Sequence, residues 1–140
     1  METLDVAVRK AQSPIVLTAH SSACAMVAHW AGKYGGRGIA GALLVGPSDV
    51  EGPIYPEEPK GFSPMPLKRL PFASIVVASE DDKWVSIERA KFFANAWGSR
   101  FVNIGRAGHI NSDSKMGEWP EGQRLLRELL AGNAASNSSK

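Results

Sequence analysis

Three side chains that together could carry out nucleophilic chemistry each follow a run of apolar residues. Ser21 lies at the centre of the sequence AHSSA, Asp82 ends the sequence SEDD, and His109 ends the sequence GRAGH. A serine hydroxyl becomes a nucleophile when a histidine accepts its proton and a carboxylate orients that histidine. The sequence therefore predicts a catalytic triad of Ser21, Asp82 and His109.

The residues around Ser21 have the form small-x-Ser-x-small, with Ala19 and Ala23 at the two flanking positions. This pattern is typical of a nucleophile elbow, a sharp turn from strand to helix that holds the serine in a strained backbone conformation. Glycine is more usual than alanine at both flanks, because the two backbones approach closely there. The N–H of Ser22, at the start of the following helix, is predicted to donate to a developing oxyanion.

Each of these residues also has a purely structural interpretation. Ser21 could be the N-cap of the following helix, and His109 could be a loop histidine that bonds a backbone carbonyl. Asp81 and Asp82 are both candidates for the acid; the small-x-x-Asp spacing favours Asp82, and the other aspartate is expected to be solvated. The order serine, aspartate, histidine favours the triad, because it is the order of α/β-hydrolases and differs from the two main protease orders.

The elements that must position these residues alternate between strand and helix. Short apolar runs without polar alternation predict strands buried on both faces, at residues 15–19, 38–45, 73–78 and 100–104. Apolar residues at helical spacing predict helices at residues 22–33, 86–97 and 121–131, the last with Leu125, Leu126, Leu129 and Leu130 facing inward. This alternation predicts an α/β fold, a parallel sheet with helices on both faces. The residues that follow its strands gather at one edge.

Other parts of the chain carry weaker patterns. Seven prolines between residues 47 and 71 predict a long excursion over the surface, of the kind that serves as a lid or a binding loop. Residues 4–11 fit a short helix and an exposed strand about equally. The small, polar residues 133–140 predict a disordered tail, and residues 1–132 are predicted to form a single domain.

Composition and charge exclude several classes of function. The net charge is only +2, and the basic residues are scattered, so binding to nucleic acid is not expected. No apolar run approaches the roughly 20 residues that span a bilayer, and the N-terminus does not resemble a signal peptide, so the sequence predicts a cytoplasmic protein without a membrane partner. The single cysteine, Cys24, excludes an internal disulfide and a multi-cysteine metal site, and its thiol is expected to be buried and inert.

Several short motifs together resemble the small YdeN-type serine hydrolases, the group that includes the retinoblastoma-binding serine hydrolase. The resemblance extends from about residue 13 to residue 130. The motifs that carry it are Ile15-Val-Leu-Thr-Ala-His-Ser21, Val27-Ala-His-Trp30, Phe62-Ser-Pro64, Pro71-Phe72, Ala78-Ser-Glu-Asp-Asp82 and Ala107-Gly-His-Ile-Asn111.

The resemblance implies a three-layer α/β-hydrolase fold and an esterase-like activity on a small ester, thioester or amide, with no cofactor and no metal. It implies that the second aspartate of the pair, Asp82, is the triad acid. It also implies that His20 has a packing and hydrogen-bonding role.

The sequence departs from the family pattern at its N-terminus. Nothing before Pro14 matches the family's first strand and the glycine-rich loop that supplies a second oxyanion amide, and Lys83 stands where proline is usual. The chain is therefore predicted to be truncated at its N-terminus, and loss of one oxyanion donor can cost about 10²-fold or more in rate. The alternative function is a catalytically impaired remnant that acts at most as a binding module. An uncovered sheet edge would also favour a homo-oligomer.

Overall fold

The described part of the chain alternates between strands and helices as the sequence predicts. A computed structural model describes residues 15–36, 38–50, 65–110 and 119–131. Their elements, in order, are β1 (Ile15–His20), α1 (Ala23–Tyr34), β2 (Ile39–Val45), β3 (Ala73–Ala78), α2 (Ile87–Trp97), β4 (Arg100–Asn103) and α3 (Pro120–Leu130). The predictions for residues 1–14 and for the tail, and the larger part of the proline-rich excursion, lie outside the described residues.

The four strands form one parallel sheet in the order β1-β2-β3-β4. In its register, Val45 at the end of β2 lies opposite His20 at the end of β1 and opposite Val77 in β3. The carboxyl ends of these strands therefore reach the same edge of the sheet. Loops that leave this edge can bring distant residues together, as is usual in open parallel sheets.

Helices cover both faces of the sheet, which confirms the predicted α/β-hydrolase architecture. On one face Leu44 and Val76 belong to a core that includes Trp30 of α1 and Trp97 of α2. On the other face, the neighbouring strand residues, Leu43, Val45, Ile75 and Val77, pack with Leu125 and Leu129 of α3. Because successive residues of a strand point to opposite faces, each apolar run in β2 and β3 contributes to both cores.

The inward face of α3 is narrower than the leucine pattern predicts. Leu125 and Leu129 are buried and Leu126 is partly buried, but Leu130 is 63% exposed, so its prediction as a core residue is wrong. Residues four apart lie on one helix face, whereas the next residue is turned by about 100°. The helix contacts the sheet at Gly41, where a β-carbon would lie 2.9 Å from Leu129 Cδ2.

Both helices on the first face end at a glycine in the left-handed region. Gly35 follows α1 with φ 81° and Gly98 follows α2 with φ 73°, and the N–H of each donates to a carbonyl of the last helical turn. The start of α2 is capped by Ser86, whose side chain accepts the N–H of Arg89. No helix among the described residues is long and apolar enough to cross a bilayer.

Candidate active site

Ser21 occupies the turn between β1 and α1. Its φ is 64°, in the left-handed region that a residue with a β-carbon rarely adopts. The turn is fixed by the N–H of Ser21, which donates to the Val45 carbonyl at 3.0 Å, and by the N–H of Cys24, which donates to the Ser21 carbonyl at 3.1 Å. Such a conformation costs of order 1–3 kcal/mol and persists only where the surroundings determine it.

The hydroxyl of Ser21 does not cap the helix. The N-cap of α1 is Ser22, which has a helical conformation and makes no side-chain capping hydrogen bond. The Ser22 N–H is one of the N-terminal amides that lack an acceptor within the helix. This places a peptide N–H, at the positive end of the helix dipole, directly after Ser21.

Small residues allow the strand and the helix to approach each other behind Ser21. Cys24 is completely buried, and its thiol lies 3.7 Å from the carbonyl oxygens of Ala19 and Val45. Burial raises the pKa of the Cys24 thiol far above its usual range. The thiolate form, which is the reactive one, is therefore suppressed.

Asp82 follows β3 and is held in a fixed orientation. Its side chain is fully buried. One carboxylate oxygen, Oδ1, accepts the N–H of Trp84 at 2.9 Å, and the other, Oδ2, lies 2.8 Å from His109 Nδ1. The carboxylate thus has one oxygen bound to the backbone and the other directed at the imidazole.

His109 connects Asp82 with Ser21. Its Nδ1 lies 2.8 Å from Asp82 Oδ2 and its Nε2 lies 2.9 Å from Ser21 Oγ. An ionised carboxylate only accepts hydrogen bonds, so Nδ1 carries the proton and the lone pair of Nε2 faces the hydroxyl. This arrangement can remove the proton from Ser21.

The structure gives Asp81 a different place from Asp82. Asp81 is exposed, as predicted, but it is not free: its Oδ1 accepts the N–H of Gly108 and the hydroxyl of Ser79, each at 2.8 Å. The hydrogen bond from the Gly108 N–H, and to a smaller extent the one from Ser79, holds the pKa of the Asp81 carboxyl below its usual range. The positive charge of the nearby Arg106 adds to the effect. Asp81 therefore contacts the backbone of the loop that carries His109, whereas Asp82 contacts the imidazole.

His20 supports His109 from the other side. Its Nε2 lies 2.7 Å from the carbonyl oxygen of His109, so this nitrogen is the donor. The two imidazole rings are 4.7 Å apart, measured between their centroids. This geometry agrees with the packing and hydrogen-bonding role implied by the family resemblance.

Two residues that follow β2 also contact the site and were missed by the sequence analysis. Ser48 Oγ lies 2.8 Å from Ser21 Oγ. Gly46, with φ 55°, lies so close that a β-carbon there would be 3.4 Å from Asp82 Oδ2 and 3.3 Å from the His109 carbonyl oxygen. Their position directly after a buried strand, at the same sheet edge as Ser21, was the signal that could have found them.

A family model described as serine hydrolase matches residues 1–128. The chain belongs to the serine hydrolase family. This confirms the resemblance predicted from the short motifs.

No metal-binding group of three or more His, Cys, Asp or Glu side chains occurs within the segments that the structure describes.

Solved structures of other proteins share the fold of this serine hydrolase family member. A YdeN-like hydrolase of Pectobacterium atrosepticum matches 99% of the chain with 27% identity and a TM-score of 0.76, and the match covers 66% of that protein. A serine hydrolase homologue of Coxiella burnetii matches 91% of the chain with 22% identity and a TM-score of 0.60, and the match covers 56% of it.

The esterase domain of a Rhodothermus marinus protein matches 90% of the chain with 22% identity and a TM-score of 0.60, and 67% of that chain is covered. The chain thus spans just under two thirds of the Pectobacterium protein and little more than half of the Coxiella protein. No curated protein matches the chain significantly.

Proposed function

We propose that this protein is a serine hydrolase that cleaves a small ester, thioester or amide through an acyl-enzyme. Ser21 is the nucleophile, His109 the general base and then the general acid, and Asp82 the group that orients the imidazole. The observation that carries the proposal is the continuous chain of hydrogen bonds from Asp82 Oδ2 through both nitrogens of His109 to Ser21 Oγ.

In the first half of the reaction, His109 Nε2 accepts the proton of Ser21 while Ser21 Oγ bonds the substrate carbonyl carbon. The carbonyl oxygen becomes an oxyanion, to which the N–H of Ser22 donates at the positive end of α1. The tetrahedral intermediate then collapses, its bond to the leaving group breaks, and His109 gives its proton to that group. A water molecule then gives a proton to His109 and attacks the acyl carbonyl carbon. The bond from that carbon to Ser21 Oγ breaks, and His109 returns the proton to Ser21.

A second candidate is a binding module with the same fold and impaired catalysis. It is motivated by Ala19 and Ala23, which stand at the two flanks of the elbow where glycine is more usual. In this case the site would still bind a small ligand, but turnover would be weak or absent. Self-association and a cytoplasmic location, both expected from the sequence, remain predictions alongside either candidate.

A fluorophosphonate probe separates the two candidates, because it forms a covalent bond only with an activated serine. The protein should take up one label per chain, and peptide mapping should place that label on Ser21. Ser21→Ala should abolish both the labelling and the hydrolysis of p-nitrophenyl esters. Labelling that survives in Ser21→Ala would refute the assignment of the nucleophile, and a folded protein that takes up no label would favour the binding module.

A further inference from the structure

A second hydroxyl group, that of Ser48, lies against the hydroxyl of Ser21. The two Oγ atoms are 2.8 Å apart, and Ser48 is only 2% exposed. The backbone also connects these residues, because the N–H of Ser48 lies 3.4 Å from the carbonyl oxygen of Ser21. Ser48 is thus fixed against Ser21 by β2 and the short loop after it, independently of the loop that carries His109.

The direction of the hydrogen bond between the two hydroxyls follows from the rest of the site. Asp82 accepts from His109 Nδ1, so Nε2 of the neutral imidazole can only accept. Ser21 has a single proton, and it must be directed at Nε2. The proton between the two serines therefore belongs to Ser48.

We propose that Ser48 donates a hydrogen bond to Ser21 Oγ and thereby orients the nucleophile for attack. The proposal rests on the proposed function, in which Ser21 is the nucleophile. A hydroxyl oxygen has two lone pairs. One is occupied by the Ser48 proton, and the other is left to bond the substrate carbonyl carbon while His109 takes the Ser21 proton.

The same pair also serves the protonated state of His109. Once Nε2 has taken the Ser21 proton it can donate to Ser21 Oγ, which then has no proton of its own. Ser48 still donates to this oxygen, so it remains a partner of Ser21 before and after the transfer. The position of Ser21 Oγ is held while the proton moves, and such positioning acts on the rate of attack more than on substrate affinity.

The test uses the full chain and the kinetics of labelling by a fluorophosphonate, which report on attack by Ser21 alone. Ser48→Ala should lower the saturating labelling rate about tenfold, the scale of one hydrogen bond, with the half-saturating probe concentration little changed. Ser48→Thr keeps the hydroxyl and should retain a rate within about threefold of wild type. This variant also tests the proposal where the alanine variant folds poorly.

Ser74→Ala is the matched control. Ser74 is 3% exposed, and its hydroxyl pairs with that of Ser99 at 2.6 Å, so the variant also removes one buried hydrogen bond between two serines. It should lower the melting temperature by an amount similar to Ser48→Ala but leave the labelling rate unchanged. An unchanged rate in Ser48→Ala, or an equal loss in both variants, would overturn the proposal for Ser48 while Ser21 labelling persists. Absence of labelling in the wild type would instead overturn the proposed function, and this inference with it.

Discussion

The carboxylate of Asp81 accepts the N–H of Gly108 at 2.8 Å, one residue before His109. The hydroxyl of Ser79 links the two sides of this contact, because it donates to Asp81 Oδ1 and accepts the N–H of Ala107, each at 2.8 Å. The turn after β3 thus carries Asp82, which contacts the imidazole, and also holds the backbone that presents this imidazole. This one turn therefore positions both the carboxylate that contacts the His109 imidazole and the backbone that carries His109.

We expect Asp81→Asn to reduce hydrolysis moderately, by about tenfold, because the His109 loop loses a charge-assisted hydrogen bond. The substitution should also change the pH dependence of stability. In the folded protein the pKa of the Asp81 carboxyl is lowered, so the ionised group stabilises the fold above the ordinary carboxyl pKa of about 4. This contribution is lost as the pH falls through the lowered value. Melting temperatures measured between about pH 2 and pH 5 should therefore depend less on pH in the variant.

Glu128→Gln is the control for this experiment. The pKa of the Glu128 carboxyl is also lowered, mainly by its hydrogen bond from Arg100 at 2.7 Å, but Glu128 lies in α3 and its ion pairs are with Arg100 and Arg124, away from the triad. Its removal should likewise flatten the acid side of the stability curve. Hydrolysis per folded molecule should be unchanged. Equal activity losses in the two variants would contradict a specific role for Asp81 in holding the His109 loop.

Asp82→Asn should cause a far larger loss than Asp81→Asn, on the order of 10³- to 10⁴-fold in turnover. An asparagine amide can donate to Nδ1, which would leave the imidazole proton on Nε2, where it can no longer accept from Ser21. The Trp84 N–H can still bond the amide oxygen, so the fold should be retained. Steady-state hydrolysis of a p-nitrophenyl ester, with a thermal melt of each variant, measures the effect. A larger loss of turnover in Asp81→Asn than in Asp82→Asn would show that Asp81 is the acid.

Gly46→Ala should disturb the pairing of Asp82 with His109 without removing either side chain. The new β-carbon would lie 3.3 Å from the His109 carbonyl oxygen, which must shift by a few tenths of an ångström, and would come into van der Waals contact with Asp82 Oδ2 at 3.4 Å. Gly35→Ala is the matched control, because Gly35 also has a positive φ but a β-carbon added there would meet nothing within 4 Å. Both variants should lose about 1 kcal/mol of stability from the left-handed conformation. Only Gly46→Ala should also slow turnover, and a similar loss of activity in Gly35→Ala would refute this explanation.

The strands and helices could be predicted closely because each one is specified locally. The run Ala73–Ala78 is apolar on both faces and matches β3 residue for residue, and Ser86 and Gly98 lie just outside the ends of α2. The proximity of Ser21, Asp82 and His109 was also predictable, since each follows a strand and parallel strands end at one edge, whereas their role in catalysis stays a prediction. The structure brings them within hydrogen-bond distance.

Contacts between separate segments could not be predicted in the same way. The position of Ser48 opposite Ser21 depends on the register of β2 against β1, and its place after a buried strand indicates the sheet edge but not the residue that it meets there. The role of Asp81 depends on where the Gly108 N–H points, which is a property of the loop conformation. Leu130 fits the apolar pattern of α3, but its exposure is decided by how the helix is rotated on the sheet.

Cys24 should be inert in the folded protein, which gives a last test of the serine as nucleophile. Its thiol is completely buried, and burial raises its pKa, so the thiolate is not available to an alkylating or disulfide reagent. A thiol reagent such as 5,5′-dithiobis(2-nitrobenzoic acid) should release no chromophore from the native protein over an hour and one equivalent after unfolding in guanidinium chloride. Hydrolysis should be unaffected by the reagent and abolished by a fluorophosphonate. Rapid reaction of the native thiol with parallel loss of hydrolysis would mean that Cys24 takes part in the reaction or that the β1 to α1 turn opens readily.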